Sequence, residues 1–256
     1  MLGGTEERRR DEQETLGGRR ARRARRHDGG ALGAVGVERT ERHVGVRDDL
    51  RTGSGSGHFV SVVDNAYFPL PVGRKLVYTG TKDGQSQIDT VTVTDQTKVI
   101  LGITTTVVRD VARHHGDLLE KTFDYYAQDD QGTVWYLGED TTAFLPNGKT
   151  DTSGSFQAGV DDAQPGIIME ANPQIPDAYR QECFAGEAED TAWVVATEGS
   201  SRVPYGNVRN VLTTLEATRV EAGAYDEKVY GPGIGIVSER SLTGPAEVAQ
   251  LVSVTG

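Results

Sequence analysis

The chain has 256 residues, a formal net charge of −11 and a single cysteine, Cys183. One cysteine excludes an intramolecular disulfide and any multi-cysteine metal site. Residues 1–56 carry 13 Arg, no Lys and 10 acids, about +3 in all. The other 200 residues carry 14 basic and 28 acidic groups, about −14, a charge that repels nucleic acid backbones and anionic membrane surfaces.

Residues 1–57 read as an Arg- and Gly-rich segment and linker, and residues 58–256 as an all-β domain. Arg8-Arg9-Arg10 and Arg19-Arg20-Ala21-Arg22-Arg23 alternate with glycine pairs, and residues 1–56 hold no aromatic residue. So little apolar surface cannot offset the entropy of ordering, so the segment reads as disordered. A short helix over Asp11–Arg26 is compatible with the pattern but is interrupted by Gly17-Gly18. Two readings of this segment compete: a basic arm for RNA or acidic partners, and, favoured, an upstream reading that precedes the biological start. Gly53–Gly57 reads as a flexible linker. No apolar stretch approaches the ~20 residues of a membrane span, and no signal peptide is visible.

From Phe59 onward, Val, Thr, Ile, Tyr and Phe dominate in short runs between Gly, Asp and Asn, the texture of strands and turns. Strands are expected at Arg74–Gly80 and Ser86–Thr94, joined by an Asp83-Gly84 hairpin turn. Lys98–Ala112 reads as one long strand bent at Gly102, with Ile103, Val107 and Val111 on one face. His114–Asp117 is a turn. Leu118–Gln128 and Thr133–Leu137 form a hairpin across Asp129–Gly132. Thr141–Leu145 and Lys149–Gln157 pair across Pro146-Asn147-Gly148, and Ala158–Ala178 is loop-rich. Further strands are expected at Tyr179–Phe184, Thr191–Thr197, Arg209–Ala217, Glu227–Tyr230, Gly235–Leu242 and Ala249–Val254. Only a short stretch near Gly186–Ala192 is compatible with a helix. Many short strands with close-set turns imply a single curved antiparallel sheet, a half-barrel or barrel meander.

Five phrases stand out together: Val63–Leu70 (VDNAYFPL), Leu76–Gly80 (LVYTG), Phe123–Asp129 (FDYYAQD), Gly132–Asp140 (GTVWYLGED) and Tyr230–Val237 (YGPGIGIV). Over roughly Val63–Val254 the chain resembles a group of uncharacterised bacterial all-β proteins, many predicted to be exported or lipid-anchored. The last phrase also resembles the closing hairpin of half-barrel envelope proteins that curl a sheet around an apolar cavity. The resemblance implies an extracytoplasmic half-barrel and carries over no active site.

Candidate chemistry is sparse. Glu182, Glu187, Glu189 and Asp190 form the densest acid cluster, beside Tyr179, Arg180 and Cys183; paired carboxylates can do acid–base work, and a solvated acidic turn is the plainer reading. Adjacent His114 and His115 make a poor chelate and read as a surface turn. Asp129 and Asp130 read as turn chemistry, since the Asp-X-Asp-X-Asp-Gly order of a calcium loop is absent. Gly231–Gly235 lacks the βαβ context of a dinucleotide site. Tyr78, Tyr125, Trp135 and Trp193, rimmed by Arg109 or Arg180, are candidates to line an apolar pocket, with plain core as the default.

No catalytic residue, metal site or cofactor is assigned. The leading expectation is a non-enzymatic binding or carrier module for an apolar or amphipathic small molecule or lipid. The rivals are a hydrolase or isomerase using Glu182–Asp190, and a structural or adhesive β module. The residue pattern specifies no oligomeric state.

Overall fold

A computed structural model describes residues 59–256; the readings of the Arg-rich segment and its helix fall outside them. In chain order the strands are β1 (Phe59–Val60), β2 (Lys75–Lys82), β3 (Gln85–Ile100), β4 (Ile103–His114), β5 (Asp117–Asp129) and β6 (Val134–Phe144). Three short strands follow: β7 (Thr150–Asp151), β8 (Phe156–Gln157) and β9 (Gly166–Met169). The second half holds β10 (Ala178–Arg180), β11 (Asp190–Ala196), β12 (Ser200–Val203), β13 (Gly206–Arg209), β14 (Leu212–Thr218), β15 (Tyr225–Gly231), β16 (Gly235–Thr243) and β17 (Glu247–Thr255). Among the described residues there is no helix, so the stretch near Gly186–Ala192 is not helical.

All strands but two belong to one antiparallel sheet with the path β10-β11-β14-β15-β16-β17-β2-β3-β4-β5-β6-β7. β1 pairs with β5, and β8 and β9 pair with β6. β12 and β13 form a separate hairpin that packs Val203 and Val208 against Val229, Val237 and Leu251. The fold is the expected all-β, single-sheet one. The sheet rolls until its ends meet without closing into a barrel. Beyond β9 and β10 the ends are joined by an isolated Gln164–Cys183 bridge. At this seam a Cβ on Gly166 would overlap the Gln181 carbonyl.

Local chemistry explains the long hairpins. Asp83-Gly84, Leu101-Gly102 and His115-Gly116 each place two successive residues at positive φ, the backbone of a two-residue turn matched to strand twist. Leu101-Gly102 corrects one expectation. The chain does not bend there; it reverses, and Lys98–Ala112 is divided between β3 and β4. Leucine is a poor advertisement for a positive φ, so the sequence reads as a continuous strand. Two more corrections concern the middle. The expected strands at Thr133–Leu137 and Thr141–Leu145 merge into the one strand β6 (Val134–Phe144), and Lys149–Gln157 supplies only β7 and β8. The loop-rich stretch contains β9, and β12–β13 lies where no strand is expected.

One end of the rolled sheet is plugged by residues 61–73. Gln128 Oε1 accepts the backbone N–H groups of Asp64 and Asn65, both at 2.9 Å. Asn65 Nδ2 donates to the carbonyls of Gly132 (2.9 Å) and Glu170 (3.0 Å). Gly233 N–H donates to the Ala66 carbonyl at 2.7 Å. The plug sets Phe68 edge-on to Tyr126, which stacks on Tyr136 with ring centroids 4.8 Å apart. Around these rings Leu70, Val93, Val108, Met169, Tyr179, Val194, Leu212 and Tyr230 form the main core. The opposite end carries the turns β2–β3 and β16–β17 and the loops after β6 and β14, and it is open.

The seam depends on backbone approach at Gly166. Gly166→Ala is expected to cost about 1–3 kcal/mol through overpacking against the Gln181 carbonyl, read as a lowered denaturant midpoint with an unchanged slope.

Candidate functional site

The concave face follows strand alternation. Registers Leu76–Val91, Tyr78–Asp89, Val91–Asp110, Val108–Asp124 and Asp124–Glu139 run across β2 to β6. Ala192–Glu216, Thr214–Lys228 and Lys228–Glu239 run across β11 to β16. Each strand thus points its apolar residues inward near the plug and its charged residues inward near the open end.

Two adjoining cavities result. The deeper, about 180 Å³, is floored by Phe68, Leu70, Leu76, Val91, Tyr126 and Ile236. The outer, about 260 Å³, opens at the turn end and is lined by thirteen carboxylates and two lysines, Lys82 and Lys228. Asp89, Asp110, Glu182, Asp190, Lys228 and Glu239 line both.

Glu216 anchors the charged half. Its Oε1 accepts from Thr214 Oγ1 (2.8 Å), Gln181 Nε2 (3.2 Å) and Tyr230 OH (3.2 Å). Its Oε2 lies 2.8 Å from Lys228 Nζ. Burial opposes the Lys228 charge, but Glu216 first, then Glu239, hold its pKa well above the usual lysine value. Tyr136 OH donates to Asp124 Oδ1 at 2.6 Å. Burial raises Glu239 from 4.5 to about 7; Lys228 opposes the rise, and Glu247, Glu216 and Asp226 reinforce it. Glu170 is likewise pushed up to about 7 by burial and by its hydrogen bond with Asp177.

Of the acid cluster, Glu182, Glu187 and Asp190 line the outer cavity, while Glu189 does not. Glu182 is buried and Asp190 half-buried, whereas Glu187 is exposed on the turn at the cavity rim. Of the pocket candidates, Tyr78 lines the deeper cavity and donates its hydroxyl to the Ile236 carbonyl at 2.8 Å. Tyr125 and Trp135 lie on the other face of the same strands, packed with Ile103, Val107 and Leu137. There Tyr125 OH donates to Asp140 Oδ2 (2.8 Å) and Trp135 Nε1 to Asp129 Oδ2 (3.0 Å). Trp193 is 37% exposed, and Arg109 and Arg180 are exposed; none of the three lines either cavity. Burial raises the Cys183 thiol pKa, and Arg180 opposes the shift. Among the described residues, no three His, Cys, Asp or Glu side chains are grouped to hold a metal ion.

Sequence reading missed Asp89, Asp110, Glu216, Lys228 and Glu239. A signal for most of them exists: Asp89 shares strand parity with Val91 and Val93, Asp110 with Val108, Glu216 with Leu212, and Lys228 with Tyr230. A charge in phase with core residues is an inward charge.

No protein-family model matches the chain, and no curated protein matches it significantly. Two solved structures are similar. One is a candidate exported protein with a YmcC-like fold from Bacteroides fragilis, at 15% identity and TM-score 0.44, covering 75% of this chain and 100% of that one. The other is a candidate lipoprotein from Parabacteroides distasonis, at 10% identity and TM-score 0.39, covering 75% of this chain and 99% of that one.

Two outcomes test this electrostatic arrangement. Lys228→Ala strands Glu216 and is expected to cost about 3 kcal/mol; adding Glu216→Gln should recover part of the loss in a denaturation double-mutant cycle. Glu239 holds a proton in the folded state that the unfolded chain releases between about pH 4.5 and 7. Its contribution is complete below that window and lost as pH rises through it. Glu239→Gln is therefore expected to flatten the fall in denaturant midpoint between about pH 5 and pH 8, leaving only the part due to Glu170.

Proposed function

We propose that the chain is a non-enzymatic binding or carrier module that holds an amphipathic cation inside its rolled sheet. The observation that carries this reading is the pair of adjoining cavities, apolar at the plug and carboxylate-lined at the mouth. An apolar tail fits over Leu76, Val91, Tyr126 and Ile236, and a cationic head fits among Asp89, Asp110 and Glu239. Together the cavities reach the lower range of small-molecule sites, roughly 300–1,000 Å³. Desolvating an anionic head against thirteen carboxylates would be prohibitive, so a cation is preferred over an acidic lipid. An extracytoplasmic site of action rests on the likeness of its phrases to exported bacterial proteins.

A hydrolase or isomerase reading has one observation in its favour: Glu182 and Asp190 both face the two cavities. It requires turnover that Glu182→Gln abolishes, whereas a carrier binds one ligand and releases it unchanged.

Titration with dodecyltrimethylammonium and with dodecyl sulfate, below their micelle concentrations, separates the possibilities. Saturable binding of the cation alone, weakened at least about tenfold by Leu76→Arg, is expected. Equal binding of both amphiphiles, or of neither, would overturn the proposal.

A further inference from the structure

The rolled sheet is split between β16 and β17. Their pairing is confined to Ser238–Arg240 against Val248–Gln250, although the strands run over Gly235–Thr243 and Glu247–Thr255. Toward the plug, single contacts replace the ladder. Tyr78 OH from β2 donates to the Ile236 carbonyl at 2.8 Å, and Arg74 Nη1 donates to the Gly233 carbonyl at 2.9 Å. The Leu251 carbonyl accepts from Tyr205 N–H, in the turn of the β12–β13 hairpin, at 2.9 Å. Among the described residues, this is the one backbone hydrogen bond from the hairpin to the sheet.

The hairpin covers this fissure from outside. β12 contacts both β16 and β17. Val203 and Val208 share one buried apolar cluster with Val237 and Leu251 at the fissure, and with Leu76 and Tyr78, which line the deeper cavity. Apolar contact therefore runs from the hairpin, through the sheet, to the cavity. Over β3 to β6, by contrast, the inner cluster around Tyr126 and the outer one around Tyr125 are distinct. Gly231 lets the hairpin sit close, because a Cβ there would lie 2.9 Å from a methyl of both Val208 and Val237. An outer groove of about 270 Å³ lies beside the hairpin, lined in part by Ser200, Ser201, Ser238 and Gln250. Glu239 lines this groove and both inner cavities.

The hairpin is pinched at its base, where Asn210 N–H donates to the Gly199 carbonyl at 2.8 Å. Swinging about that base breaks the Tyr205–Leu251 bond and parts the valine contacts. The ladders β14–β15, β15–β16 and β17–β2 stay intact. Such a small, weakly tied unit is the kind that opens locally without global unfolding.

We propose that the β12–β13 hairpin is a side gate, which swings off the β16–β17 fissure and admits the apolar tail of an amphipathic ligand laterally into the deeper cavity. The ligand's route rests on the carrier reading above; the opening of the gate does not. A tail entering by the mouth must cross a cleft lined by thirteen carboxylates. Beneath the hairpin it meets Val203, Val208, Val237 and Leu251 instead.

Two readouts, both with Cys183→Ser, test the gate. Val237 lies beneath the hairpin and Val134 in the main core, and both are fully buried. Under native conditions, Val237→Cys is expected to react with a small thiol reagent at least about tenfold faster than Val134→Cys, which reports global unfolding. Val203→Ala with Val208→Ala should widen that ratio. Equal rates would overturn the gate.

The second readout is ligand passage. Tyr205 and Val252 are exposed and flank the Tyr205–Leu251 bond. Joining Tyr205→Cys to Val252→Cys with a short bis-maleimide holds the hairpin down. The tether is expected to slow association and dissociation of dodecyltrimethylammonium together, at least about tenfold, with little change in affinity. The reference is the same double variant capped with a monofunctional maleimide. Unchanged rates would overturn the gate as the ligand's route, because the mouth then serves. Absence of binding by the capped protein would overturn the carrier reading and the route with it, and the thiol rates would still decide whether the hairpin opens.

Discussion

A single sheet that rolls back on itself must bury one whole face, and strand alternation decides what that face contains. In β2 to β6, β11 and β14 to β17, alternate residues point into the same space, with bulges interrupting the period in places. Near the plug those residues are apolar or aromatic, and the interior is filled by Phe68, Tyr126 and Tyr136. Toward the mouth the same positions hold Asp89, Asp110, Glu216, Lys228 and Glu239. The cleft is therefore a property of register: a one-residue slip would turn these charges outward and expose the core.

Glu216 is the residue on which the charged half turns. Four partners from β14, β15 and the segment after β10 converge on its two oxygens. The arrangement gives both oxygens of a buried carboxylate a partner, and the carboxylate in turn holds Lys228 charged. Glu239 stands beside this network without the same support, and its affinity for a proton rises accordingly. Inward charge of this kind opposes compactness. A fold selected only for stability would place Val or Leu at these positions.

Much of the fold was legible because its determinants are local. β5 and the start of β6 could be read from Phe123–Asp129 and Gly132–Asp140, where β-formers flank an Asp-rich turn. Asp83-Gly84 announced its hairpin. Leu101-Gly102 did not, because the geometry resides in a leucine that does not advertise it. β9 was hidden among prolines and glycines because its pairing with β6 is non-local. The candidate site was half legible. The density of acids at Glu182–Asp190 drew attention to one wall, and Tyr78 to the floor. Tyr125 and Trp135 were read by residue type, and alternation sends them to the opposite face.

The sequence by itself determined the all-β class, the single antiparallel sheet, most strand positions and the acidity of the body. Those features follow from residue type and from a two-residue period that operates within each strand. Only the tertiary structure decided that the sheet rolls until Gly166 meets Gln181, and that residues 61–73 plug one end. It also decided that carboxylates some 150 residues apart face one cleft. The physical reason is that curvature and closure depend on pairings between strands distant in sequence. A lone inward acid on one strand becomes a charged wall only when its neighbours bring theirs to the same level.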